Sequence, residues 1–256
     1  TDGERPALSL YAEVAADNAI LAIRSRSELV PIAANLRHGE LDEVFNAEAL
    51  AAGAIAHEFG HELKRLWHFA QRLQAARGKA DAEGEIQRAE YNFYVDGERV
   101  NIVERKRGSP VDKVVSELMI FANAEWGGQL AKAGYAAIYR AQSNGLARMT
   151  TVAARHEGLG VAQYAWASSP LRRYVDLINQ RQLLALIGGQ PAPYAAGAES
   201  LLMALRDFEL AYDAYAEFQR GMERYWCLRW IEQEHAAELD ATVIRDNLVR
   251  CNRLPL

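Results

Sequence analysis

Tyr164-Ala-Trp-Ala-Ser-Ser-Pro-Leu-Arg-Arg-Tyr-Val-Asp-Leu-Ile-Asn-Gln-Arg181 carries more chemistry than any other stretch of the chain. Ser169 followed by Pro170 reads as a helix start, because serine caps and proline suits the first helical position. The helix expected from Pro170 reaches Ile187, where Gly188-Gly189 ends it. At such a start, free backbone N–H groups and the positive helix end make an anion site. Arg172 falls in that first turn, and its planar fork suits a pair of phosphate oxygens. Positions 172, 176 and 179 share a stripe, so Asp176 can orient Arg172 while Asn179 extends the polar face. Leu171, Val175 and Ile178 form the opposing apolar stripe. Tyr164, Trp166 and Tyr174 offer flat rings on which bases could stack. The plain alternative is an amphipathic helix with surface arginines. Three arginines in ten residues of an acidic protein favour phosphate.

Working outward, His156-Glu-Gly-Leu-Gly160 is a glycine loop ahead of that helix, and Ala198 to Glu238 reads as helix with a break near Gly221. Upstream, Ser109-Pro110 starts another helix, Pro110 to about Ala131, with Asp112 near its positive end. Val114, Leu118 and Phe121 share one stripe of it, while Ser116, Glu117 and Asn123 could line a cleft or simply face water. Tyr91–Val95 and Arg99–Glu104 flank Asp96-Gly97, a pair suited to a type I′ hairpin. Arg105-Lys106-Arg107 after it could touch a nucleic-acid backbone, though such runs are usually solvated. Gly78–Gly84 reads as a polar loop, and Leu29 to Arg77 as alanine- and leucine-rich helix. Ala7–Val14 and Ile20–Arg26 alternate as two short strands around Ala15–Asn18. The expectation is an α+β protein, mostly helical with two hairpins.

Composition removes whole classes. The chain has 256 residues, half of them hydrophobic and a quarter charged, which excludes disorder and fibre. No apolar run approaches the roughly 18 residues a spanning helix needs, so no membrane is expected. Two cysteines, Cys227 and Cys251, make no disulfide framework, and a cytoplasmic setting is the expectation. A net charge of −5 argues against wholesale polyanion binding and leaves a local basic patch open. The chain opens on Thr1 and closes on Asn252-Arg-Leu-Pro-Leu256, which reads like the start of a further strand or linker, so a longer gene product is expected.

His57-Glu58-Phe59-Gly60-His61 is the competing motif. On a helix both imidazoles could grip one zinc, with Glu58 as general base of a metalloprotease. A third ligand is missing from the extended pattern, because Lys64 and Trp67 stand where a glycine and a histidine would be needed. The bland reading is two histidines on a solvated helix face.

Ser169-Pro170-Leu171-Arg172-Arg173-Tyr174-Val175-Asp176-Leu177 resembles the signature of the ribonuclease II family, in its catalytic RNB domain. His156-Glu-Gly-Leu-Gly160 matches that family's His-x-Gly-Leu-Gly lead-in, and Ser116-Glu-Leu-Met-Ile-Phe-Ala-Asn123 its Glu-Glu-Phe-Met-x-x-Ala-Asn helix. Arg5-Pro-Ala-Leu-Ser-Leu10 matches its Arg-x-Ala-Leu-Ser strand, with Ile23-Arg-Ser-Arg26 next and the Asp96-Gly97 hairpin in register. The resemblance covers residues 1–256 as the C-terminal part of one RNB catalytic domain. It implies a processive 3′→5′ exoribonuclease that hydrolyses single-stranded RNA to nucleoside 5′-monophosphates. Arg172 would be the catalytic arginine on the scissile phosphate. Glu117, Asn123, Arg173, Tyr174, Asp176 and Asn179 would line or support the RNA channel.

The departures from the family are specific. Its magnesium is held by aspartates upstream of the Arg-x-Ala-Leu-Ser strand, so no metal ligand is expected in this chain, and this piece alone is expected to be inactive. Pro31 stands where a tyrosine is usual, Ser116 where an acid is common, and Gln180 where histidine is frequent. Flanking RNA-binding domains are expected in the whole protein. A catalytically silent RNA-binding regulator is the remaining alternative.

Overall fold

A computed structural model describes residues 3–79, 89–106 and 108–256. They group into two units, residues 1–84 with 109–209, and residues 85–108 with 210–256. In the first, β1 (Glu4–Val14) and β2 (Ile20–Pro31) pair antiparallel, Tyr11 opposite Arg24. Alternation along β1 sends Leu8 and Leu10 against a core of Trp126, Leu130, Tyr139 and Leu183, and leaves Tyr11 exposed. Ser25 on β2 accepts from the Trp126 indole N–H at 3.1 Å and donates to Gln129 at 3.0 Å.

The stretch read as helix from Leu29 divides instead. β2 runs on to Pro31, and three helices follow: α1 (His38–Val44), α2 (Ala47–Ala52) and α3 (Gly60–Ala76). Asn46 caps α2 by accepting from the Ala49 N–H at 3.0 Å, and Gly53 closes it at φ 74°. Leu41, Phe45, Leu63 and Ala70 then pack against Val111 and Val114.

Those valines belong to α4 (Pro110–Ala133), which starts as its sequence indicates, the Ser109 hydroxyl accepting from the Asp112 N–H at 3.2 Å. β3 (Ala89–Asp96) and β4 (Arg99–Lys106) form the expected hairpin, one residue out of the expected register. Asp96 pairs with Arg99, so Gly97 and Glu98 make the turn. Gly97 alone of the two has positive φ, 60°, the pattern of a II′ turn rather than I′. The loop Gly78–Gly84 lies outside the described residues from position 80 onward, as does Arg107.

Two hairpins appear where none was expected. β5 (Tyr139–Ser143) and β6 (Leu146–Thr150) turn through Asn144-Gly145, both at positive φ. β7 (Ala241–Arg245) and β8 (Leu248–Cys251) turn through Asp246-Asn247. Between these hairpins lie α5 (Tyr174–Ile187) and α6 (Glu199–Gln233). No break occurs at Gly221; one glycine costs a helix about 1 kcal/mol, which 35 residues absorb. The second unit holds β3–β4, α6 from Leu210, and β7–β8. There the Gln233 side-chain amide donates to the Val100 carbonyl and accepts from its N–H, completing the edge of β4. No helix among the described residues is long and apolar enough to cross a membrane.

Candidate functional site

The Ser169-Pro170 start is a turn and not the helix itself. The Arg172 and Arg173 N–H groups both bond the Ser169 carbonyl, at 3.2 and 3.0 Å, and α5 begins only at Tyr174. Arg172 therefore sits on a turn ahead of the helix, its side chain exposed and without a hydrogen bond or ion pair to a described residue. Leu171 beside it is fully exposed, so it leaves the expected apolar stripe.

Asp176 does not orient Arg172. Its buried carboxylate accepts from the Ser169 N–H at 2.8 Å and from Arg173 Nε and Nη2, both at 2.8 Å. Three residues span most of a helical turn, so the partner is set by where the chain enters the helix, and that entry faces Arg173 to the acid. The stripe that exists is Asp176, Asn179 and Gln182, all fully buried. Asn179 accepts from the Ile138 N–H at 2.9 Å and donates to the Ile138 and Trp166 carbonyls at 2.8 Å. Gln182 donates to the Ala136 and Tyr194 carbonyls and accepts from the Tyr194 N–H. Asn179 and Gln182 are thus spent on backbone, as burial demands. Gln180, at the position where the family often has histidine, donates to the Ala167 carbonyl at 2.7 Å.

Asn123 on α4 holds the same segment from the other side. Fully buried, it accepts from the Ala167 N–H at 2.9 Å and donates to Tyr164 Oη and Ser168 Oγ at 3.2 Å. Glu117, one and a half turns earlier, is also buried, both of its oxygens bonded to Arg77 Nη2. Arg77 Nη1 reaches the Leu159 carbonyl, tying the His156–Gly160 loop to α4. In that loop Gly160 holds φ 69°, and a side chain there would meet the Arg77 carbonyl. His156 is buried, its Nδ1 accepting from the Leu159 N–H at 3.3 Å. Burial first, then the Arg140 charge, pull its pKa below the ordinary 6.5.

The expected stacking rings divide. Tyr164 and Trp166 are buried, 7% and 6% exposed, so neither offers a face to a base. Trp166 instead carries two guanidinium groups, Arg173 at 4.1 Å and Arg140 at 4.8 Å from its ring centroid, and meets Phe208 edge-on. Tyr174 alone is half exposed. Arg77, Arg140 and Gln182 were missed because their partners, the Glu117 carboxylate, the Trp166 ring and main-chain groups of residues 136, 159 and 194, lie far off in sequence. The one available signal was charge, an arginine inside an apolar stretch such as Ala136-Ala-Ile-Tyr-Arg140.

The zinc motif does not assemble. His57 lies in a turn before α3, its Nδ1 accepting from the Phe59 N–H at 3.0 Å, whereas His61 is exposed on the helix. The helix starts between them, which breaks the one-turn spacing. Among the described residues no three His, Cys, Asp or Glu side chains gather as a metal site. The described residues thus do not fit the magnesium that the resemblance implies.

The buried groups of this site thus hold a turn that presents the Arg172 side chain to solvent. A family model for the RNB domain matches residues 1–146 and 142–189, and the chain belongs to that family. It is 43% identical over 60 residues to exoribonuclease 2 of Edwardsiella piscicida, a match covering 23% of this chain and 9% of that protein. Its fold is similar to an active-site mutant of the Dss1 exoribonuclease of Candida glabrata, with TM-score 0.78, 17% identity, and 98% of this chain against 37% of that one covered. Mycoplasma genitalium RNase R in complex with ribose-methylated single-stranded RNA gives TM-score 0.74 at 14% identity, over 100% of this chain and 49% of that one. The chain thus spans less than half the length of these relatives.

Proposed function

We propose that the chain, over residues 1–256, serves as part of an RNB catalytic domain that degrades single-stranded RNA processively from its 3′ end to nucleoside 5′-monophosphates. The observation that carries this reading is the Arg172 side chain: exposed, without a partner among the described residues, and mounted on a turn fixed by buried Asp176, with Asn123 and Asn179 holding the segment that leads into it. A guanidinium so placed needs little reorganisation to meet a scissile phosphate, and it stabilises charge that grows in the transition state. Tyr174 next to it offers a half-exposed ring to a base or ribose. Arg173, Asp176, Asn179, Asn123 and Glu117 support the channel wall, since their polar groups are committed to the protein. The expected magnesium belongs to carboxylates outside this set. Free thiols at Cys227 and Cys251 support a cytoplasmic setting. Other RNA-binding domains would complete the protein.

The test follows a 5′-labelled single-stranded RNA with the gene's full product and magnesium on a sequencing gel. Ladder-like shortening from the 3′ end is expected. Arg172→Ala should slow it by roughly 10²–10³-fold, the scale of losing one transition-state donor, with a much smaller change in RNA affinity. Equal losses in binding and turnover would reduce Arg172 to docking. Tight binding without shortening would leave a silent RNA-binding protein.

A further inference from the structure

Arg140 on β5 is half buried and lies over the Trp166 ring, and its side chain makes no hydrogen bond or ion pair to a described residue. Its neighbour on the same indole, Arg173, is neutralised by Asp176. Two guanidinium groups on one ring repel each other, and a cation–π contact worth roughly 1 kcal/mol does little to offset an unmatched, partly desolvated charge. A guanidinium lying over a ring keeps N–H donors that the contact does not use. The neighbouring sequence is basic. Between Ala136 and Val175 the sequence carries Arg140, Arg148, Arg155, Arg172 and Arg173 against Glu157 alone, in a chain of net charge −5. The Glu157 carboxylate is engaged with the Asn144 N–H at 2.8 Å. A donor edge held by an aromatic shelf suits a phosphate oxygen pair.

We propose that Arg140 is a second RNA-phosphate contact, gripping a backbone phosphate other than the one at Arg172, with Trp166 as the shelf that holds its fork. This rests on the RNA-degrading reading above and adds a residue to it. The test is the salt dependence of binding of a 5′-fluorescein-labelled oligouridylate to the full chain, read by anisotropy. Loss of one phosphate contact lowers the slope of log K against log salt by about 0.7 for a single strand. Arg140→Gln should show that drop and bind roughly ten-fold more weakly at low salt. Arg140→Lys should restore the slope, since it keeps the charge. Adding Arg172→Gln to Arg140→Gln should lower the slope by about as much again.

On the unaltered chain, bound RNA should slow phenylglyoxal modification of Arg140 and Arg172, mapped by peptide mass, while exposed Arg65 reacts unchanged. That arm decides alone if Arg140→Gln does not fold. An unchanged slope, or protection confined to Arg172, would show that Arg140 only packs on Trp166 and would overturn the proposal. Failure of the unaltered chain to bind the RNA at all would overturn the functional reading, and this inference with it.

Discussion

Asp176→Asn removes a charge while keeping shape, and the geometry sets its cost. The carboxylate accepts from the Ser169 N–H and from two donors of Arg173, each at 2.8 Å, and is fully buried. An asparagine offers one oxygen. If that oxygen takes the Oδ1 place, the Arg173 Nε–H faces an amide N–H₂; if it takes the Oδ2 place, two bonds are lost instead. The milder arrangement still forfeits one charge-assisted bond, worth about 1.5–3 kcal/mol, and weakens the other two. The Arg173 side chain is only 12% exposed, so water recovers little of its lost partner. The total comes to about 3 kcal/mol, the low end for breaking a buried ion pair. For a chain of this size that is a fall in Tm of roughly 6–12 °C, read by calorimetry, with urea denaturation giving the free energy. A double-mutant cycle with Arg173→Gln should return at least about 1.5 kcal/mol of coupling. A loss under about 1 kcal/mol, or near-additive single variants, would refute the assignment of Asp176 as the fastening of this turn.

Two further outcomes are expected. His156 has its pKa lowered in the folded chain, so below about pH 6.5 the unfolded state takes up a proton that the folded state resists. Stability is complete above that pH and falls as pH drops below it; Tm measured from pH 7 downward should show the loss, and His156→Gln should remove that component. Cys227 is fully buried and its thiol is pushed up to about 11, chiefly by burial. Ellman's reagent at pH 8 should therefore titrate Cys251 first and reach Cys227 only on unfolding, and equal rates would contradict the packing.

How much of this was legible in the sequence depends on where each side chain finds its partner. α4 was readable because its cap is local: Ser109 bonds three residues on. The same dipeptide at Ser169-Pro170 misled, because there Asp176 supplies the acceptor for the Ser169 N–H and the chain makes an extra turn before Tyr174. Arg172 was singled out for its residue type, yet its expected setting was wrong: its side chain stands on a turn and does not pair with Asp176, which bonds Arg173 instead. Asn144-Gly145 is a strong local hairpin signal, and the sequence reading made nothing of it. Trp166 could not be placed from sequence, since an aromatic ring reads alike as a stacking platform or as core. What buries it, Phe208 and two guanidinium groups, comes from three separate elements or loops.

The Asp176–Asn179–Gln182 stripe has a consequence for how this region tolerates change. Apart from the pairing of Asp176 with Arg173, its bonds go to main-chain atoms of residues 136, 138, 166, 169 and 194. A main-chain atom is the same whatever side chain it bears, so these bonds do not depend on side-chain identity at the segments they tie down. Substitutions in those segments answer to their own packing, while the path of the backbone stays pinned to one helix. Information about the shape of the turn that bears Arg172 is thereby stored in a few amides and one carboxylate, and the surrounding sequence is left freer to drift.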